Sequence, residues 1–271
     1  MPEIKRYRHG VPNWVDVSTR DIAATVEFYS MLFGWEASDQ GEEAGHYHML
    51  RKGGLDVAGL GPAQPGQPTA WSTYLAVDDI DATVEKATAA GGTPMMPVMD
   101  VFEQGRMTFL SDPAGASVAL WEAKAHIGSR IVNEPASPVW NELATRDLDA
   151  AKAFYSAVAG WEYVPMAGST DVQSTYLLCQ VSGRPVGGMM PLAPEMPAET
   201  PSSWPAGWSV YFGVTDTDGS ARRVTELGGA VLVEPFDTPV GRSAVVRDST
   251  GATFSIISLT DAVDPNEGWS D

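Results

Sequence analysis

Apolar and polar positions alternate at the start of the chain and then change to a helical period. Residues 14–18 alternate as in a half-buried strand. Apolar positions recur at helical spacing over 22–33, where Thr19 or Asp21 can form the N-cap and Gly34 ends the helix. Three short strand-like segments follow, at 35–38, 46–51 and 55–60. The pattern therefore predicts a βαβββ module.

The same pattern begins again after a polar loop. A strand is predicted at 73–77, followed by a helix at 79–90 that the pair Gly91-Gly92 ends. The last strands of this module are predicted at 107–110 and 117–121, joined by the turn sequence Asp112-Pro-Ala-Gly115. The first half of the chain thus contains two modules of one type.

The second half of the chain repeats the first. At an interval of 126 positions, Trp14, Phe28-Tyr-Ser30 and Gly34-Trp35 recur as Trp140, Phe154-Tyr-Ser156 and Gly160-Trp161. Later blocks recur at 136 or 137 positions, which predicts extra residues in the proline-rich segment 191–205. We place the boundary between the halves within 123–138, and predict an N-terminal domain over 1–126 and a C-terminal domain over 127–271.

Composition narrows the classes of partner and of site. The net charge is −18, it is spread over both halves, and no basic tract exists, which argues against nucleic acid and anionic membranes as partners. The single cysteine, Cys179, lies in an apolar segment and is expected to be a buried thiol. The polar N-terminus and the lack of a long apolar run predict a cytoplasmic protein.

Taken together, these motifs resemble the vicinal oxygen chelate superfamily of glyoxalases, bleomycin-resistance proteins and dioxygenases. The matching features are the Phe-Tyr helix with its Gly-Trp end, the Gly-Gly helix stop and the Asp-x-x-Gly turn. The nearest pattern is that of tandem actinobacterial proteins of the glyoxalase-like or hydroxylase-like type. The resemblance implies an α+β fold in which four βαβββ modules pair into two domains, each a curved mixed sheet that forms a cup with helices outside.

The resemblance also implies where a metal would bind. Metal enzymes of the family take ligands, usually His and Glu, from the first and last strands of paired modules. In this chain those positions hold Trp14, Ser72, Ala119 and Ala58-Gly59, and in the second half Trp140, Ser209, Ser255 and Gly187-Gly188. We therefore expect no cofactor, while the sequence leaves a divalent metal open. An alternative metal site is His46-Tyr-His48, which would place His46 and His48 on one strand face.

Alternation directs one set of side chains into each cup. In the first cup these are Trp14, Asp16, Ser72 and Tyr74, and in the second they are Trp140, Glu142, Ser209 and Tyr211. Each cup would have an aromatic wall and one carboxylate, which suits a flat or cationic organic ligand. The alternative is that the tryptophans fill a cup that no longer binds anything.

Charged residues supply two further hypotheses. Asp16 and Glu142 are candidate general acids or bases, because burial would raise their pKa values. Arg106 and Arg242 follow glycines at the predicted cup rim, and they either bind an acidic group of the ligand or form ion pairs with Asp100 and Asp237.

The resulting functional hypothesis is a metal-independent protein that binds a small molecule, of the natural-product or antibiotic type, in resistance or biosynthesis. The alternative is a glyoxalase-like enzyme, a lyase, isomerase or oxygenase-type catalyst that uses a carboxylate or an unrecognised metal site. A third possibility is a degenerate scaffold that binds a protein. The protein is expected to be a monomer or a homodimer.

Overall fold

The computed structural model describes residues 3–166, 176–192 and 207–260. The first half contains strands β1 (Pro12–Thr19), β2 (Glu36–Asp39), β3 (His48–Lys52), β4 (Leu55–Pro62), β5 (Ala70–Ala76), β6 (Thr93–Pro94), β7 (Met99–Val101), β8 (Gly105–Ser111) and β9 (Ser117–Ala123). Its helices are α1 (Ile22–Phe33) and α2 (Ile80–Ala89).

The second half repeats this order. Its strands are β10 (Pro138–Thr145), β11 (Glu162–Pro165), β12 (Leu177–Val181), β13 (Arg184–Pro191), β14 (Gly207–Gly213), β15 (Ala230–Thr238), β16 (Gly241–Arg247) and β17 (Thr253–Leu259). Its helices are α3 (Leu148–Ala159) and α4 (Thr217–Glu226).

Each half forms its own mixed sheet. The strand orders are β2-β3-β4-β1-β5-β9-β8-β6, with β7 paired to β8, and β11-β12-β13-β10-β14-β17-β16-β15. The two modules of a half join through their first strands, which run antiparallel, while the first and last strands of one module run parallel. These are the two open, curved sheets of paired βαβββ modules that the repeat predicted.

The helix boundaries follow from local chemistry. The Asp21 side chain accepts a hydrogen bond from the backbone N–H of Ala24 and caps α1, and Asp147 caps α3 in the same way. Gly34 and Gly160 end these helices with φ values of 71° and 66°. Glycine is favoured there because the left-handed region is strained for residues with a Cβ atom.

The hydrophobic cores join modules from different halves. One core combines the module at 70–123 with the module at 138–192, and it contains the buried thiol of Cys179, as expected. The other combines the modules at 12–62 and 207–259. The helix-covered faces of the two sheets therefore pack against each other, and each sheet turns its other face outwards as a cup.

Two tryptophans of the repeated motif connect the halves. The indole N–H of Trp35 donates to the backbone carbonyl of Ala136 at 2.9 Å, and that of Trp161 donates to the carbonyl of Gly10 at 2.8 Å. The repeated Gly-Trp sequence thus contributes to the contact between the halves and is remote from both cups.

The structure departs from the sequence prediction at sheet edges. Strands β6 and β7 were not predicted, because they are short, carry little alternation and lie next to prolines. The predicted extra residues at 191–205 lie mostly outside the described residues. In the described ranges no helix is long and apolar enough to cross a membrane.

Candidate functional site

The cup of the first sheet encloses a cavity of about 1180 Å³. Trp14, Tyr74 and Trp121 are buried at its floor, where they pack together with Ala119. The partly buried side chains against this cluster are Met49, Val101, Met107 and Phe109. Strand alternation explains this floor, because Val15 lies in the opposite, helix-covered face.

Asp16 is the carboxylate at the aromatic floor of this cavity. Its Oδ2 atom accepts hydrogen bonds from the hydroxyls of Tyr74 at 2.7 Å and Tyr47 at 3.2 Å. Ser72, which lies opposite Asp16 in the β1–β5 register, also donates to it. The structure thus brings together Trp14, Asp16, Ser72 and Tyr74, as the alternation predicted.

Burial changes the proton affinity of this cluster. Desolvation raises the pKa of Asp16 to about 6, although the hydrogen bonds from Tyr74, Tyr47 and Ser72 act in the opposite direction. Burial and the adjacent Asp16 charge raise the pKa values of Tyr47 and Tyr74 well above their ordinary range. Both phenols are therefore neutral hydrogen-bond donors, while Asp16 can gain or lose a proton near neutral pH.

Tyr47 is a site residue that the sequence analysis missed. Its hydroxyl accepts a hydrogen bond from the indole N–H of Trp14 at 3.0 Å and passes one to Asp16. The hydroxyl lies over Gly59, where a Cβ atom would collide with it. A glycine inside a strand marks such a close approach, and this signal was present at Gly59.

The second cup repeats the same cluster. The Trp140 indole donates to the Tyr176 hydroxyl at 2.8 Å, and the Tyr211 hydroxyl donates to Glu142 Oε1 at 3.0 Å. Burial raises the pKa of Glu142, and hydrogen bonds from Tyr176 and Tyr211 lower it. Ser209 lies opposite Glu142 in the β10–β14 register.

The tyrosine and glycine that recur in both cups keep one spacing. The Tyr176 hydroxyl lies directly over Gly188, as the Tyr47 hydroxyl lies over Gly59. In both pairs the tyrosine precedes the glycine by 12 positions. This repeated spacing could have identified both tyrosines from the sequence. The surroundings of the second cup are described less completely, because 167–175 and 193–206 lie outside the described ranges.

His126 also lines the first cup and is a second residue that the sequence analysis missed. Its ring packs edge-on against Trp14 and Trp121, with centroid distances of 4.5 and 5.6 Å. Nδ1 lies 4.0 Å from Asp56 Oδ2, and the buried Nε2 atom has no hydrogen-bond partner within the described structure. Desolvation lowers the pKa of His126 to about 4, so the imidazole is neutral at neutral pH.

Arg106 and Arg242 lie away from the cups. Arg106 forms two hydrogen bonds with Asp81 of α2, at 2.8 and 3.1 Å, and does not line the cavity. Asp100, its expected partner, pairs with Lys124 instead.

Arg242 binds Asp218 of α4 as well as the expected Asp237. Alternation explains this result, because each arginine precedes an inward-facing position of its strand and therefore points to the helix side.

The two histidines of the His-Tyr-His sequence do not share a strand face. His46 lies in a turn with φ 56°, pairs with Asp39 at 3.0 Å and is exposed, whereas β3 begins at His48. The strand prediction at 46 was wrong because a short 3₁₀ helix at Glu42–Ala44 continues into this turn. Tyr47, between the two histidines, is the residue that enters the cup.

Comparison with known proteins agrees with this geometry. Residues 11–120 match the model of the Glyoxalase/Bleomycin resistance protein/Dioxygenase superfamily, and residues 140–257 match that of the Glyoxalase-like domain. The chain belongs to this superfamily. Each match spans one of the two sheets and the helices that cover it.

Relatives within the superfamily cover nearly the whole chain. It is 43% identical to the putative glyoxylase CFP32 of Mycobacterium tuberculosis, over 95% of this chain and 98% of that protein. It is 36% identical to the anthracycline biosynthesis protein DauV of Streptomyces sp. strain C5, over 95% and 96%. The Mn(II)-bound glyoxalase of Novosphingobium aromaticivorans shares the fold, with a TM-score of 0.65 and 17% identity over 98% of this chain and 87% of that one.

The donor set of the first cup does not fit the metal centre of the superfamily's metal enzymes. The expected positions carry the side chains of Trp14, Ser72 and Ala119, and at Gly59 the Tyr47 hydroxyl fills the space of a ligand side chain. Across the described part of the chain, no three His, Cys, Asp or Glu side chains are grouped to hold a metal ion. Asp16 thus lies between two phenols, and among the described residues no second carboxylate or histidine is grouped with it to complete a set of metal ligands.

Proposed function

We propose that the first cup binds a planar, polycyclic aromatic compound without a metal ion. The observation that carries this proposal is a cavity of about 1180 Å³ whose aromatic floor surrounds one hydrogen-bonded carboxyl group, Asp16. Ligand cavities are commonly about 300–1000 Å³, so this space suits a large organic molecule better than a three-carbon metabolite.

The chemistry of the lining favours this class of ligand. Trp14, Tyr74 and Trp121 offer ring faces and edges for stacking, which contributes about 0.5–1.5 kcal/mol for each aromatic pair. Asp16 and the two phenols beside it can exchange hydrogen bonds with a hydroxyl or carbonyl group of the ligand. Charged side chains also line the cavity, among them Glu43, Arg51, Asp56 and Arg130, and they offer further polar contacts to substituents of the ligand.

The named relatives support the same class. DauV of Streptomyces sp. strain C5 is called an anthracycline biosynthesis protein, and DnrV of Streptomyces peucetius, 37% identical to this chain, carries the same description. An anthracycline is a planar polycyclic aromatic compound, which is the kind of ligand that the aromatic floor suits.

Proton transfer is a second candidate function, because the pKa of Asp16 is raised to about 6. A carboxyl group with a pKa near the operating pH can serve as a general base, and Tyr47 and Tyr74 hold it in place. The reaction would move a proton between two positions of a bound ketone or phenol. It needs no external oxidant, and the Asp16 carboxyl gains and returns the same proton.

Calorimetric titration with an anthracycline, using protein dialysed against EDTA, tests the binding proposal. We expect saturable binding, which Trp14→Leu weakens at least tenfold, or about 1.4 kcal/mol. The matched control is Trp140→Leu in the second cup, which should leave the affinity of the first cup unchanged. Equal affinities of the wild type and of Trp14→Leu would overturn the proposal, as would binding that depends on added metal.

Asp16→Asn separates the two candidate functions. Under the binding proposal this variant keeps most of its affinity, because an amide oxygen still accepts a hydrogen bond from Tyr74. If the first cup catalyses proton transfer, exchange of an acidic ligand proton in deuterated water, followed by NMR, should occur with the wild type and stop in Asp16→Asn. The absence of exchange in the wild type would exclude the second candidate function.

A further inference from the structure

A strained turn lies at the mouth of the first cup. The backbone N–H of Gln104 donates to the carbonyl of Val101 at 2.9 Å and closes the turn between β7 and β8. Phe102, the second residue of this turn, has φ 48°. Positions that require a positive φ are normally occupied by Gly, Asn or Asp, and a bulky residue there is an outlier.

Phe102 is also exposed to solvent, which is unfavourable for an apolar side chain. It is 57% exposed, and its neighbour Met99 on β7 is 45% exposed. Both residues line the cavity of the first cup. An exposed phenylalanine in a strained conformation does not help the fold, and such residues often occur where a ligand is contacted.

The second sheet does not share this feature. Its corresponding hairpin joins β15 to β16 through Pro239 and Val240, and neither of these residues has a positive φ. The repeat therefore conserves the Trp-Tyr-carboxyl cluster in both cups, while the aromatic turn belongs to the first cup. A feature of one cup alone indicates a difference in ligand specificity between the two cups.

We propose that Phe102, together with Met99, is a specificity-determining contact that covers the part of a planar ligand extending beyond the aromatic floor. This inference rests on the proposed function of the first cup. It further defines the ligand as an extended molecule, with a hydroxyl or carbonyl group near Asp16 and an apolar ring system that reaches the rim. A single-ring compound would occupy the floor without touching Phe102.

Two variants of Phe102 test this proposal. Phe102→Gly relieves the backbone strain and removes the ring, so the melting temperature should rise while the affinity for an anthracycline falls at least tenfold. Phe102→Asn tolerates the same φ and also removes the ring, so it should weaken binding similarly without a change of turn geometry. The matched control is Phe236→Asn, which alters an exposed phenylalanine on β15 of the second sheet.

A single-ring phenol serves as the second probe, and its affinity should be equal for the wild type and both Phe102 variants. Normal anthracycline binding by Phe102→Gly would overturn the rim contact alone and leave the proposed function intact. If the wild type binds no anthracycline, both proposals fail together. If sedimentation shows a dimer that Phe102→Gly dissociates while ligand affinity is unchanged, the turn is an interface between two copies and our inference is wrong.

Discussion

The hydroxyl of Tyr29 donates a 2.9 Å hydrogen bond to Oδ2 of Asp248, which lies 219 positions away in the other half of the chain. The other oxygen of Asp248 accepts hydrogen bonds from the backbone N–H groups of Thr250, Gly251 and Ala252. One carboxylate thus shapes its own turn and binds the opposite helix. Tyr155 and Asp112 form the mirror pair at 3.3 Å. The Phe-Tyr and Asp-x-x-Gly motifs therefore stabilise the contact between the halves and are not parts of the cups.

Removal of the Tyr29 hydroxyl should destabilise the whole chain. Tyr29→Phe leaves Oδ2 of Asp248 and the indole N–H of Trp71, which donates to Tyr29 at 2.9 Å, without their buried partner. We expect a loss of about 1–3 kcal/mol in the free energy of unfolding, measured by urea denaturation. Tyr155→Phe is the matched variant and should behave alike. Ligand affinity should be unchanged, and a loss below about 0.5 kcal/mol would contradict this account.

Asp16 should lower stability at neutral pH. Its pKa is raised from 3.8 to about 6 in the folded state, so the folded protein binds the proton more tightly than the unfolded chain does. Protonated Asp16 therefore favours the folded state, and this stabilisation is fully present below pH 3.8. It is lost as the pH rises through the folded-state pKa of about 6. A shift of this size corresponds to at most about 3 kcal/mol.

Asp16→Asn removes this titration. It should be more stable than the wild type at pH 8, and the difference should shrink towards pH 4. Urea denaturation at several pH values measures this difference. A constant difference between the two proteins over that range would show that burial of Asp16 does not govern the pH dependence.

His126 should act in the opposite direction. Its pKa is lowered from 6.5 to about 4, so the unfolded chain binds the proton more tightly, and stability is lost as the pH falls from 6.5 through 4. In the wild type this titration lowers the free energy of unfolding by up to about 3 kcal/mol between pH 6.5 and pH 4, and His126→Phe should abolish that decrease. The comparison is made by urea denaturation at pH 7 and pH 4.5. An unaltered pH profile in the variant would contradict the burial of a neutral imidazole.

Gly59→Ala should displace Tyr47 from the first cup. The added Cβ atom would overlap the Tyr47 hydroxyl, which then loses its hydrogen bonds to Trp14 and Asp16. We expect a lower melting temperature and at least tenfold weaker ligand binding. Gly61→Ala is the matched control on the same strand, because its Cβ atom would meet only the edge of the Tyr47 ring at 3.2 Å. Equal effects of the two substitutions would exclude the proposed role of Gly59.

Much of the fold could be predicted from the sequence alone. The helix caps at Asp21 and Gly34 and the alternation around Trp14 and Asp16 are local, so the residues that decide them lie within a few positions. The internal repeat predicted two sheets of paired modules, because equal spacing of equal motifs implies equal structure. The face of each strand, and with it the inward position of Tyr74, followed from the period of two.

Only the tertiary structure decided which distant residues meet. His126 lies in an aperiodic linker, and its contact with Trp14 across 112 positions has no local signal. Alternation could place Arg106 on a face, but it could not choose Asp81 over Asp100 as its partner. The cores join modules of different halves because each helix-covered face needs an apolar surface from outside its own sheet. Local periods determine which side of an element is apolar, and packing of the whole chain determines what covers it.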